Sequence, residues 1–96
     1  MDVLVAYDVN TETKDGRRRL RRVAIVCKDF GQRVQYSVFE CSVSDAQFEA
    51  LKARLLSVID QDEDSLRIYR LRAPREESIE CYGLDSYVSY DDPLVF

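Results

Sequence analysis

Five stretches within the first seventy-two residues switch between two-residue and helical hydrophobic periodicity, and their order restricts the folds open to this chain. VLVAY at 3–7 is rich in β-branched residues and continuous enough to be a central strand. From Arg17 to about Asp29 the apolar positions Leu20, Val23, Ala24 and Cys27 recur at helical spacing, and Gly31 offers a C-terminal stop. QRVQYSVFECSV at 32–43 is strand material by its β-branched and aromatic content. No Gly, Pro or Asn interrupts it, so the residues favour one long strand, with two strands joined by a sharp bend as the alternative. SDAQ at 44–47 is a capping box, with Ser44 as N-cap and Gln47 reaching back. Behind it Phe48, Leu51, Leu55, Val58 and Ile59 form one helical stripe. SLRIYRLR at 65–72 alternates as a further strand.

The connecting stretches carry turn chemistry. VNTETKDG at 9–16 reads as a loop, DQDED closes the second helix as a solvated acidic loop, and APREES is a surface turn. DQDED lacks the glycine and the terminal bidentate acid of a calcium loop. IECYG predicts a short strand and DSYVSYDDPLVF a tail, so 79–96 forms a C-terminal strand and tail. The whole of 1–96 is then a single domain with the order βαββαβ: a ferredoxin-like α+β sandwich with an extra C-terminal strand. That fold hosts enzymes, RNA binders and ligand sensors, and does not name a function. Its helices cover one sheet face. Residues such as Tyr69 and Leu71 on the other face need a partner, which points to a homodimer in which IECYG pairs with a sheet edge of the second chain.

Composition removes several chemistries. The chain has no histidine, which excludes histidine-based triads, histidine zinc sites and histidine general bases. Cys27, Cys41 and Cys81 are odd in number and share no CxxC spacing, so they are expected to be small core fillers in a reducing compartment. No apolar run approaches membrane-spanning length, and Asp2 stands where a signal peptide would be basic. The expectation is a cytoplasmic protein with no membrane partner.

Net charge is −4, yet it is segregated: GRRRLRR places five arginines between 17 and 22, and DQDED gathers four acids at 60–64. A basic face can bind phosphate on an acidic protein, because screening confines each patch to about 8–10 Å. Arg17, Arg18, Arg19, Arg21 and Arg22 are either a solvated helix face or a phosphate-binding run. Like charges crowded at a helix N-terminus oppose the dipole, which argues for a compensating anion. Tyr7, Tyr36, Phe39 and Tyr69 read as core or interface packing rather than base-stacking platforms. Asp8, at the end of the first strand, either shapes the turn through backbone amides or holds a metal ion.

VLVAYD, the basic helix, GQRVQYSVFE and DSLRIYRL, in that order, resemble the small CRISPR-associated adaptation endonucleases, the Cas-two family. Even the tail ending DPLVF is similar to one subgroup. The resemblance implies a ferredoxin-like homodimer in which QRVQYS and VFECSV are two short strands joined near Ser37, against the single strand favoured above. It implies a magnesium ion held by Asp8, and it matches Tyr7, Arg33, Ser37 and Phe39 to positions associated with nuclease activity. Arg33 joins the five helix arginines as an expected nucleic-acid contact. The implied activity is magnesium-dependent endonucleolytic cleavage of RNA or duplex DNA within spacer acquisition, beside the spacer integrase. Two other roles stay open on the same resemblance: a non-catalytic DNA-binding scaffold bridging integrase dimers and, more remotely, a toxin-like ribonuclease.

Overall fold

The computed structural model describes residues 1–83. Seven elements follow one another: β1 (Asp2–Asp8), α1 (Lys14–Phe30), β2 (Gly31–Gln35), β3 (Val38–Ser42), α2 (Asp45–Val58), β4 (Ser65–Arg70) and the short α3 (Arg75–Ser78). The sheet order is β2-β3-β1-β4 with every pairing antiparallel, so the ferredoxin-like α+β sandwich expected from the sequence is the observed fold.

Strand alternation divides the sheet into two unlike faces. Val3, Val5 and Tyr7 of β1, Phe39 and Cys41 of β3, and Leu66 and Ile68 of β4 pack with Val23, Val26, Cys27, Phe48, Leu51 and Leu55 of the helices. This is the core, and α1 and α2 cover it. Leu4, Ala6 and Asp8 of β1 point the other way, beside Val38 and Glu40 and opposite Tyr69, Arg67 and Ser65. Neither α1 nor α2 lies over that face.

Several boundaries differ from the sequence reading. α1 begins at Lys14, not Arg17, because Thr13 is its N-cap and accepts a 3.0 Å hydrogen bond from Gly16 N. A Cβ on Gly16 would stand 1.9 Å from Asn10 O, so only glycine lets the helix start so close to the β1–α1 loop. Gly31 ends α1 in an extended conformation rather than a left-handed cap. Its missing side chain serves close approach to β3, where a Cβ would meet Glu40 O at 2.3 Å.

The stretch 32–43 is not one long strand. It bends through Tyr36 and Ser37 into β2 and β3, with a register shift between Arg33 and Gln35, as the resemblance implied. The Ser44–Gln47 capping box is present in both directions, at 3.1 and 2.8 Å. APREES contains the helical turn α3 instead of an open turn. Residues 79–83 pair with no strand of this chain's own sheet, and the expected IECYG strand, placed against a sheet edge of a second chain, belongs to the homodimer. The remainder of the expected tail lies outside the described residues. Cys27 and Cys41 fill the core as expected, whereas Cys81 is exposed.

Candidate functional site

Asp8 closes β1 on the uncovered face, paired through its backbone with Ser65 of β4. Its side chain is exposed and, among the described residues, takes part in no hydrogen bond or ion pair. The turn that follows is shaped by others. Asn10 Oδ1 accepts from Glu12 N at 3.0 Å, Thr13 caps α1, and Asp64 Oδ1 accepts from Asn10 N at 3.1 Å. The local turn-forming role open to Asp8 in the sequence is thus taken by Asn10 and Asp64, and the Asp8 carboxylate is left bare.

Behind Asp8, on the helix-covered face, the structure gathers Tyr7, Phe39 and Arg33, three of the other four residues that the resemblance singled out, with Ser37 in the adjoining β2–β3 turn. Tyr7 is 5% exposed and Phe39 2%, with their rings stacked at 6.3 Å and 25°. The Arg33 guanidinium lies 5.2 Å from the Phe39 ring centre. The Ser37 carbonyl accepts from Tyr7 N at 3.1 Å, which ties the β2–β3 turn to the end of β1. Burial pushes the Tyr7 phenol above its ordinary pKa, outweighing the favourable influence of Arg33. The phenol therefore stays protonated at neutral pH. Arg33 Nε is buried without a hydrogen-bond partner, a cost reduced by the cation–π contact with Phe39.

Strand alternation puts Tyr7 and Phe39 on the opposite side of the sheet from Asp8. They pack beneath the strand end that carries the carboxylate, and their rings have almost no surface for a substrate. Arg67, which the sequence reading passed over, shares the face of Asp8: it stands opposite Ala6, two residues beyond the Ser65 that pairs with Asp8. Arg67 Nη1 donates to Tyr69 Oη at 3.0 Å. Strict alternation in SLRIYRLR was the available signal.

The arginine run splits by helical position. Arg17, Arg18, Arg21 and Arg22 are exposed, whereas Arg19 turns the other way. Arg17 Nη1 donates to Thr11 O at 3.2 Å, and Arg18 makes a 4.0 Å ion pair with Asp15. Arg21 and Arg22 make no hydrogen bond or ion pair among the described residues. Arg19 departs from the expected phosphate-binding set, because its guanidinium forks onto Asp64 at 2.8 and 3.1 Å. The Asp64 side chain has no exposed surface, so DQDED is not uniformly the solvated loop read from the sequence. Burial opposes ionisation of Asp64, but Arg19 and the amides of Asp60 and Asn10 outweigh it and hold the carboxyl below its usual range. The run also starts one turn inside the helix, behind Asp15, so the dipole penalty argued from a helix starting at Arg17 is largely absent.

A family model described as CRISPR associated protein Cas2 matches residues 1–79. The chain is 62% identical over 95 residues to the CRISPR-associated endoribonuclease Cas2 1 of Moorella thermoacetica, covering 99% of each. It is 48% identical over 96 residues to the CRISPR-associated endonuclease Cas2 of Halalkalibacterium halodurans, covering 100% of each. Among solved structures, Streptococcus pyogenes Cas2 at pH 6.5 superposes with a TM-score of 0.77 at 55% identity, over 86% of this chain and 100% of that one. The match spans the strand end bearing Asp8, the arginine helix and the β2–β3 turn, and the chain belongs to the CRISPR-associated Cas2 family.

Proposed function

We propose that this chain is a magnesium-dependent endonuclease of CRISPR spacer acquisition, hydrolysing phosphodiester bonds in RNA or duplex DNA, with Asp8 as the metal ligand. The observation that carries the reading is the bare, exposed Asp8 carboxylate on a rigid strand end. The donor set fits magnesium. The ion usually keeps several waters and takes one or two carboxylates together with substrate phosphate, so a single oxygen ligand per chain suffices. Among the described residues no group of three or more His, Cys, Asp or Glu forms a cage within one chain. Asp8 then acts with substrate phosphate or with Asp8 of a second copy. The uncovered sheet face with Leu4, Ala6, Val38 and Tyr69 supports such a homodimer.

Bound at Asp8, magnesium supplies a Lewis acid that offsets the charge growing on a scissile phosphate. The chain's own residues position and hold. Asp8 is fixed by the β1–β4 pairing, and Arg67 on the same face offers guanidinium donors to a neighbouring phosphate oxygen. Tyr7, Phe39, Arg33 and the Ser37 carbonyl hold the strand end from behind. Arg17, Arg18, Arg21 and Arg22 face solvent from the helix layer and bind backbone phosphates along the bound strand or duplex. The names of the Moorella and Halalkalibacterium relatives, an endoribonuclease and an endonuclease, support a nuclease.

A second reading rests on Arg21 and Arg22, which are exposed and unpaired among the described residues. They suit a cytoplasmic DNA-gripping subunit that works beside the integrase without cutting. One experiment separates the two. Wild type and Asp8→Asn are incubated with RNA and with duplex DNA, in magnesium and in EDTA, and binding is measured in parallel. The nuclease reading predicts magnesium-dependent cleavage that collapses in Asp8→Asn while binding persists. Equal cleavage by both proteins would remove Asp8 from the reaction, and binding without any cleavage by wild type would favour the scaffold.

A further inference from the structure

The Asp64 carboxylate has four hydrogen bonds and no room for a fifth. Oδ1 accepts from Asn10 N at 3.1 Å and from Arg19 Nη2 at 3.1 Å. Oδ2 accepts from Arg19 Nε at 2.8 Å and from Asp60 N at 2.9 Å. An ionised carboxylate offers about four acceptor positions, so all of them are filled. Asp64 is therefore no second metal ligand. It is a junction of three segments: the loop leaving β1, the helix α1 and the turn entering β4.

Those segments meet around Asp8. Asn10 lies two residues after it, and Asp64 lies one residue before Ser65, the β4 residue paired with Asp8. A further hydrogen bond from Asn10 Nδ2 to Glu63 Oε2 at 2.8 Å fastens the same two chain segments. The Asp8 side chain has no hydrogen bond of its own to set its direction. Its orientation is inherited from the backbone, and that backbone is clamped on both strands by Asp64.

We propose that Arg19 and Asp64 are positioning residues for metal capture at Asp8. Their fork closes the β1–α1 loop onto the start of β4 and holds the Asp8 carboxylate in one direction. This rests on the reading of Asp8 as the metal ligand. An ion gripped by one carboxylate from each chain depends on that orientation more than an ion in a cage, because no further ligand of the same chain corrects a misdirected oxygen. Arg19 consequently belongs to the metal site rather than to the phosphate-binding row formed by the other helix arginines.

The test uses Arg19→Lys, Arg19→Gln and Asp64→Asn, each checked for its thermal midpoint, with two metal readouts. Manganese binding without substrate is followed by electron paramagnetic resonance. Cleavage is followed as a function of magnesium. Arg19→Gln should raise both metal midpoints about tenfold, the lower end of what removing a ligand's supporting partner costs a metal site. Its maximal rate at saturating magnesium should stay within about threefold of wild type, because mass action recovers the productive orientation. Arg19→Lys keeps one charged donor and should recover most of the affinity. Should Arg19→Gln and Asp64→Asn fail to fold, Arg19→Lys decides alone: a midpoint shift of about twofold or more supports the clamp, and an unshifted midpoint overturns it. A merely structural role would lower the active fraction equally at every metal concentration, leaving the midpoints where they were, and that result also overturns the proposal. Asp8→Asn runs alongside. Loss of manganese binding there, with wild-type midpoints in the Arg19 variants, sinks the clamp alone, whereas unchanged binding in Asp8→Asn sinks the reading beneath it.

Discussion

Two aspartates mark the ends of one backbone pairing and live under opposite conditions. The Asp8 side chain is exposed and unbonded among the described residues; that of Asp64, one residue before the Ser65 that pairs with Asp8, is sealed from solvent and saturated with donors. Sequence alone could not separate them. Asp8 stood out because a carboxylate ends an apolar strand, but Asp64 was one of four acids in DQDED, and its guanidinium partner lies 45 residues away. The sign of the Asp64 shift makes a prediction. Its folded pKa is depressed by Arg19 and two backbone amides against the opposing effect of burial, so its contribution is present above the unfolded value of about 3.9 and is lost as pH falls through the lower folded value. Asp2, which accepts from Arg75 N at 3.0 Å, acts in the same direction. A thermal-midpoint series should show wild type losing stability below about pH 4, with a shallower loss in Asp64→Asn. Identical acid slopes in the two proteins would contradict the assignment. Phe39 belongs to the same scale. Phe39→Ala should cost about 3–5 kcal/mol in denaturant unfolding, as large-to-small core changes do, with its activity loss tracking the unfolded fraction.

At the scale of elements, the sequence was most legible where one local pattern sufficed. The capping box and the α2 stripe lie where their residues placed them, and β4 alternates as expected but ends at Arg70, two residues short of the expected 65–72. The β2–β3 bend was not legible from turn chemistry, because Tyr36 is no turn former and Ser37 only a weak one; the bend is held by the long-range bond from Tyr7 N to Ser37 O. The start of α1 was missed for a related reason. Thr13 and Gly16 look like loop residues, yet they are N-cap and third helical residue, and the glycine is demanded by Asn10 O across the loop. Gly16→Ala should therefore lower stability by more than about 1 kcal/mol, despite alanine's higher helix propensity, and a neutral or stabilising result would contradict the close approach. On the same helix, Arg21→Ala with Arg22→Ala should weaken binding to all duplex sequences alike. The salt dependence should flatten by about 0.9 in log–log slope for each phosphate that is no longer neutralised. An unchanged slope would assign both side chains to solvent or to a protein partner.

The described residues form a two-layer sandwich in which α1 and α2 lie on one side of the sheet. α1 and α2 cover the face that carries Tyr7 and Phe39, and neither helix covers the face that carries Leu4, Ala6, Tyr69 and Asp8. The sequence disclosed that imbalance through strand alternation, but it could not place 79–83, which pair with no strand of the sheet. A homodimer across the open face predicts a dimer mass by light scattering at micromolar concentration. Leu4→Glu, which sets a charge in the middle of that face, should weaken association by about a hundredfold, or about 2.7 kcal/mol. A stable wild-type monomer would contradict it. The proposed chemistry depends above all on a metal ion held by the Asp8 carboxylate. Manganese titrated into wild type and into folded Asp8→Asn, followed by electron paramagnetic resonance, reads that directly. A metal ion at Asp8 requires a wild-type site that weakens at least about tenfold once the carboxylate charge is removed. Equal manganese binding by the two proteins would contradict it.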